Sequence, residues 1–183
     1  MGVFAPNVRG SGGYGRAFRQ ADDRERRFDA VHDVADCAAE LVRLGAADPS
    51  RLACMGWSYG GYLTLATLVA HPRLFRAGVT VSGIADFATF YARAEPWIAA
   101  AAVGEYGHPD TDRELLHALS PLHALDRLAA PSWSCTEPRT PTSRCTRPSR
   151  SSRRPPPWAG PAITSSSRTK ATRSGGSATG SAT

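Results

Sequence analysis

The chain has 183 residues, 42% of them hydrophobic, with a formal net charge of +6 and four cysteines. That length supports one domain with a core. The cysteines form no C-x-x-C pair and face no histidines at metal-ligand spacing, which points to free thiols and away from a metal protein. The charge is lopsided: up to Pro131 there are 13 basic against 15 acidic residues, and from 132 to 183 there are 9 against 1.

Residues 3–8 (VFAPNV) predict a strand that runs into a glycine-rich loop at 9–15 (RGSGGYG). The charged run Asp22-Asp23-Arg24-Glu25-Arg26-Arg27 reads as a solvated loop. Phe28, Val31, Val34, Ala35, Ala38, Leu41, Val42 and Leu44 then recur at helical spacing, and Gly45 closes that helix. Residues 51–55 predict a short strand, 62–72 a helix stopped by Pro72, and 77–83 a second buried strand. Cys37 falls within the first helix and Cys54 within the strand at 51–55, so both read as small core residues. From Asp86 to Leu128 the pattern is helical and irregular. Strand, helix, strand, helix, strand in this order implies an α/β fold, a parallel sheet with helices on both faces. No stretch reaches membrane-spanning length and the start lacks a charged segment followed by an apolar one, so the expectation is a cytoplasmic protein with no membrane partner.

Between the strand at 51–55 and the helix at 62–72 stands Gly56-Trp57-Ser58-Tyr59-Gly60-Gly61. A G-x-S-x-G turn between strand and helix is a nucleophile elbow: the serine is held in a strained conformation, and Gly56, Gly60 and Gly61 are expected where a Cβ would crowd the turn. Ser58 is then the candidate nucleophile. The N–H of Tyr59, at the positive end of the following helix, points where an oxyanion would form. Gly10, Gly12 and Gly15 also fit G-x-G-x-x-G after a strand, but the dense charge run that follows offers no sustained apolar helix face, so dinucleotide binding is the weaker reading.

The loop Asn7-Val8-Arg9-Gly10-Ser11-Gly12-Gly13-Tyr14-Gly15, the helix carrying Asp29 and Asp33, the elbow, and Val81-Ser82-Gly83 before an aromatic helix together resemble the catalytic domain of prolyl oligopeptidase family serine peptidases. The likeness covers residues 2–131 and is nearest to acylaminoacyl peptidases and dipeptidyl peptidases. It implies an α/β-hydrolase fold, cleavage of short peptides by a Ser-Asp-His triad, and no cofactor. It also places Val81, Ile84, Phe87 and Tyr91 where the family lines its apolar specificity pocket. Ordinary core packing is the competing reading of those four. An esterase or lipase of the same fold is the alternative within enzymes.

The triad order in this fold, Ser then acid then His, requires a base well after Ser58. His71, His108, His117 and His123 read as surface or packing residues, and no histidine follows His123. The family's upstream oxyanion loop and N-terminal propeller are expected to be missing as well, leaving an incomplete hydrolase domain at 1–131. Residues 132–183 hold a single Leu, Ile or Val residue, Ile163, and no Phe, so this basic Arg/Ser/Pro/Thr-rich tail is expected to be disordered. Read one base earlier, with serines on TCN codons, residues 132–135 have T in the middle of every codon and become an apolar strand. With G- or C-ending codons, 132–152 can shift to (L/V)LVLHGAPDTDVPVHEAEQVV and 163–173, with the flanking bases included, to DHLLLPDEGHAF. These strings look like the family's acid strand and histidine loop. A base lost near codon 131 would then have disabled a peptidase. From another class, the nine basic residues of the tail suit weak polyanion binding, though Trp133 and Trp158 are its only aromatics and no nucleic-acid motif is present.

Overall fold

A computed structural model describes residues 2–135 and 145–146 of the chain. Compact units span 1–149 and 150–183, and the second lies outside the described residues, as does most of the expected disordered tail. The elements in order are α1 (Gly15–Arg19), α2 (Arg27–Arg43), β1 (Ala53–Trp57), α3 (Tyr59–Ala70), β2 (Ala77–Val81), α4 (Phe87–Arg93), α5 (Pro96–Tyr106), α6 (Arg113–Leu119), β3 (Ser132–Cys135) and β4 (Cys145–Thr146). Among the described residues no helix is long and apolar enough to cross a membrane.

The sheet runs β1-β2-β3-β4, parallel across the first three strands and antiparallel at β4. Residues 3–8, expected as a strand, have no regular structure, and Val3 and Phe4 are exposed. A strand is made by pairing its main-chain groups, and β1 is the edge of the described sheet with no further strand beside it. At the other side the sheet continues past Pro131, the boundary expected for the domain, so a strand follows there where none was expected to survive. The ladder needs only main-chain donors and acceptors: the Gly78 N–H donates to the Pro131 carbonyl at 3.1 Å, and Gly78 then pairs with Ser132. Polar side chains do not prevent that pairing.

Register assigns the two faces. Cys54, Gly78 and Ser132 align, as do Gly56, Thr80 and Ser134, and this face meets α3: Thr64 contacts Cys54 through Oγ1 and Sγ at 3.5 Å, and a Cβ on Gly78 would strike the Leu68 side chain. Small residues on this face let the helix lie close. The alternate residues of β1 point the other way, where Met55 is 75% and Trp57 65% exposed. Helices therefore cover one face of the described sheet, where both had been expected, because α3 packs on β1 and β2 while α2 and the helical turn Pro121–Arg127 pack in turn on α3.

α3 is buried nearly all round, as its apolar sequence requires. Tyr62, Leu63 and Ala66 join Ala30 and Val31 of α2 and Phe87, Tyr106, Leu116 and Leu119 of the later helices in one core, while Leu68 and Val69 join Ala38, Phe75, Leu128 and Ala130 in another. The apolar face of α2 is narrower than its sequence pattern, for Phe28 and Leu44 are exposed. Its end follows the expectation: Gly45 at φ 70° allows the Gly45 N–H to reach Val42 and the Ala46 N–H to reach Leu41. The free thiols of Cys37 and Cys54 are half-buried, and burial pushes the Cys54 thiol up, away from reactivity.

Candidate active site

Ser58 stands between β1 and α3 with φ 52° and ψ −118°, a left-handed conformation that side chains other than glycine rarely adopt. Main-chain bonds hold it there. Its N–H donates to the Val81 carbonyl at 2.8 Å, and its carbonyl accepts the Tyr62 N–H at 3.1 Å, which starts the helix. The side chain is exposed at the carboxyl end of the strand. Two of the three expected glycine constraints hold. A Cβ on Gly56 would drive into the Gly60 carbonyl, and one on Gly61 would come within 2.9 Å of the Val81 oxygen. Gly60 is the exception, since nothing lies within 4 Å of where its Cβ would be. Gly83, not expected among the crowded glycines, is the partner of Gly61: their main chains touch so closely that neither has room for a methyl group.

Tyr59 is the first residue of α3, so its N–H has no acceptor one turn back and stands at the positive end of a 12-residue helix. A hydroxyl on a strained turn beside a free helix amide can attack a carbonyl and shelter the resulting oxyanion once a base takes the proton.

The four expected pocket residues do not share one wall. Phe87 is wholly buried at the centre of the first core, against Tyr62, Phe90 and Tyr106. Ile84 packs on the same core, and Val81 ends β2 with its carbonyl on Ser58. Tyr91 alone lines a cavity of about 570 Å³, with Asp86, Arg113, Leu116, His117 and His123, and its hydroxyl donates to the Gly107 carbonyl. The histidines are engaged elsewhere. His117 stacks on His123 at 3.8 Å between centroids, His123 lies 3.6 Å from Asp86, His71 packs edge-on against His32, and His108 accepts the Asp110 N–H. Among the described residues no cluster of three or more His, Cys, Asp or Glu is placed to hold a metal ion.

Two charged residues of the supposed solvated loop prove to be core. Asp22 is 3% and Arg27 2% exposed, and they form an ion pair. The Tyr59 hydroxyl donates to the same Asp22 oxygen at 2.6 Å. Burial pushes the Tyr59 and Tyr62 hydroxyls far above the usual phenol range and that of Tyr106 up to about 12, so all three stay neutral. The glycine-rich loop is fixed from the other side by Arg9, whose main-chain N–H and guanidinium bond Asp33 while Nη1 bonds Asp29. Hydrogen bonds from Arg9 hold the Asp33 carboxyl below its ordinary range.

The sequence model of the prolyl oligopeptidase family matches residues 1–138. The chain belongs to that family. It is a serine peptidase by lineage. Among relatives of this family member, dipeptidyl aminopeptidase BIII of Pseudoxanthomonas mexicana is 32% identical over 70% of the chain and 19% of the relative. The dual function macrocyclase-peptidase POPB of Amanita bisporigera is 33% identical over 66% and 17%. Among solved structures, a Mycobacterium tuberculosis puromycin-hydrolyzing peptidase superposes with a TM-score of 0.64 at 35% identity, covering 70% of the chain and 20% of its own length. The acylaminoacyl peptidase of Pyrococcus horikoshii gives 0.64 at 29%, covering 71% and 21%. The chain thus spans about a fifth of the length of the curated relatives it matches.

Proposed function

We propose that Ser58 is the nucleophile of a peptidase site for short peptides, and that the N–H of Tyr59 is one donor of its oxyanion hole. The strained, exposed Ser58 at the junction of β1 and α3 carries this reading. Its hydroxyl would attack the scissile carbonyl, the carbonyl oxygen would take negative charge beside the Tyr59 N–H, and collapse would expel the amine and leave an acyl-serine. The proton of Ser58 must pass to a base and then to the leaving amine. In a serine protease, removing the histidine that does this costs on the order of 10⁶ in turnover. The five histidines here pack against one another or in loops, so in this reading the chain as written turns over little peptide.

The same reading places the missing acid and base in the neighbouring reading frame after codon 131. β3 supports it: Ser132 is 5% exposed beside Gly78 on the buried face of the sheet, a kind of position more often held by an apolar residue than by serine, and the shifted frame supplies one. Labelling the purified chain with a fluorophosphonate tests both claims, beside Ser58→Ala and a version with the base restored. The expected result is labelling of the restored chain only, lost on Ser58→Ala. Labelling of the chain as written would show that a base is already present. Coding DNA whose tail codons do not shift into these two strings would overturn the frame claim.

A further inference from the structure

We propose that Asp22 and Arg27 are positioning residues for the elbow, which fix the Tyr59 side chain and through it the orientation of the Tyr59 N–H. The proposal rests on the reading of that N–H as an oxyanion donor, and it names what holds the donor still.

The contacts converge on one side chain. Asp22 Oδ2 accepts from the Tyr59 hydroxyl at 2.6 Å and from Arg27 Nη1. The Arg27 guanidinium lies over the Tyr59 ring at 4.9 Å and over the Tyr106 ring at 4.6 Å, and its Nη2 donates to the Glu105 carbonyl at 2.9 Å. Tyr62, one turn along α3, stacks on Tyr59 at 5.9 Å. Above the carboxylate runs the glycine-rich loop, where Gly10, at φ 91°, has no room for a Cβ over Asp22. Loop, α2, α3 and the end of α5 are thereby tied to the residue that follows Ser58.

A role in stability alone fits this arrangement poorly. Burying a charge pair takes both ions out of water, and well-packed apolar residues of similar volume are often as stable or more so. Arg27 also leaves its Nε buried without a hydrogen-bond partner, a further cost. What the pair does supply is direction. A phenol locked at its oxygen by a carboxylate and on its face by a guanidinium leaves the ring one orientation, and the N–H two bonds from its Cβ follows. The Tyr59 N–H makes no intrahelical bond of its own, and its peptide plane is held from the Ser58 side, where the carbonyl accepts the Tyr62 N–H at 3.1 Å; the Tyr59 side chain holds the same residue from the other side.

Backbone ¹⁵N relaxation on the full chain reads this directly, comparing the unaltered protein with Tyr59→Phe and Asp22→Asn. Tyr59→Phe removes one oxygen and keeps the ring, so folding is retained even if Asp22→Asn disturbs it. The expected result is an order parameter near 0.85 at residue 59 in the unaltered chain and a lower one at that residue in both variants, with Ala35 and Leu68 unchanged. An order parameter at residue 59 that stays at its unaltered value in folded Tyr59→Phe overturns the proposal. So does a uniform loss of order along α2 and α3, which is the mark of a merely structural pair. A chain whose restored-frame form fails to label at Ser58 would sink the nucleophile reading and leave the relaxation result standing on its own.

Discussion

The elbow glycines make opposite predictions for the same substitution four residues apart. At Gly56 a methyl group meets the Gly60 main chain, which cannot swing aside as a side chain can. Strand β1 is fixed by its ladder to β2 and α3 by a nearly complete jacket of core side chains, so the roughly 1 Å retreat needed makes Gly56→Ala an overpacking change costing about 3 kcal/mol or more. For a chain of this size that lowers the melting temperature by roughly 6–12 °C. Gly60→Ala puts the methyl into open space inside a helix, where alanine is favoured over glycine by up to about 1 kcal/mol. Its melting temperature should therefore stay level or rise by roughly 1–4 °C. Thermal denaturation of the two variants followed by circular dichroism decides it. Equal losses in both, or a Gly56→Ala variant as stable as the unaltered chain, would refute the argument from main-chain crowding.

Ser58→Gly should stabilise the chain by about 1 kcal/mol, since it releases a positive-φ strain of roughly 1–3 kcal/mol and adds a glycine entropy cost of roughly 0.5–1 kcal/mol. Ser58→Ala keeps the strain and should show no such gain in chemical denaturation. His71 gives a pH prediction: burial first, and His32 beside it second, hold its pKa below the ordinary 6.5. The unfolded chain then takes up a proton before the folded one does, so His71 contributes stability that is present above pH 6.5 and is lost as pH falls from there toward its folded value. Melting temperatures measured from pH 7.5 downward should drop less steeply in His71→Gln, and parallel slopes in the two proteins would exclude the assignment.

Much of the fold was legible because its signals are local. Apolar runs flanked by glycine and proline marked β1, α3 and β2, and the glycines around Ser58 marked the elbow, with α3 starting a turn earlier than its apolar run suggests because the strained serine itself opens the helix. Two readings failed for reasons that lie outside any local window. Residues 3–8 have strand composition, but a strand is a property of its partner, and the described sheet gives them none. The run from Asp22 to Arg27 has the composition of a solvated loop, yet its two ends turn inward. The signal that could have found them is pairing: an aspartate and an arginine five apart at the start of α2 can satisfy each other and so tolerate burial that neither tolerates alone. The pocket residues divided for a similar reason. An aromatic at Phe87 is equally good as pocket wall and as core, and only its neighbours Tyr62, Phe90 and Tyr106 decide for core.

Strain and packing at the elbow are one arrangement rather than two. Ser58 at φ 52° ends β1 and Ser82 at φ 50° follows β2, so the two strands leave the sheet through left-handed residues side by side. Each such residue costs of order 1–3 kcal/mol and persists only where the surroundings over-determine it. Here they do: the Ser58 N–H is tied to Val81, the residue before Ser82, while Gly61 and Gly83 bring the first turn of α3 against the chain just beyond it. The helix that presses there is anchored downstream by Tyr62, Leu63 and Leu68 in the two cores. Core burial therefore offsets the strain that exposes the Ser58 hydroxyl, and a substitution that loosens α3 is expected to relax Ser58 before it unfolds the sheet.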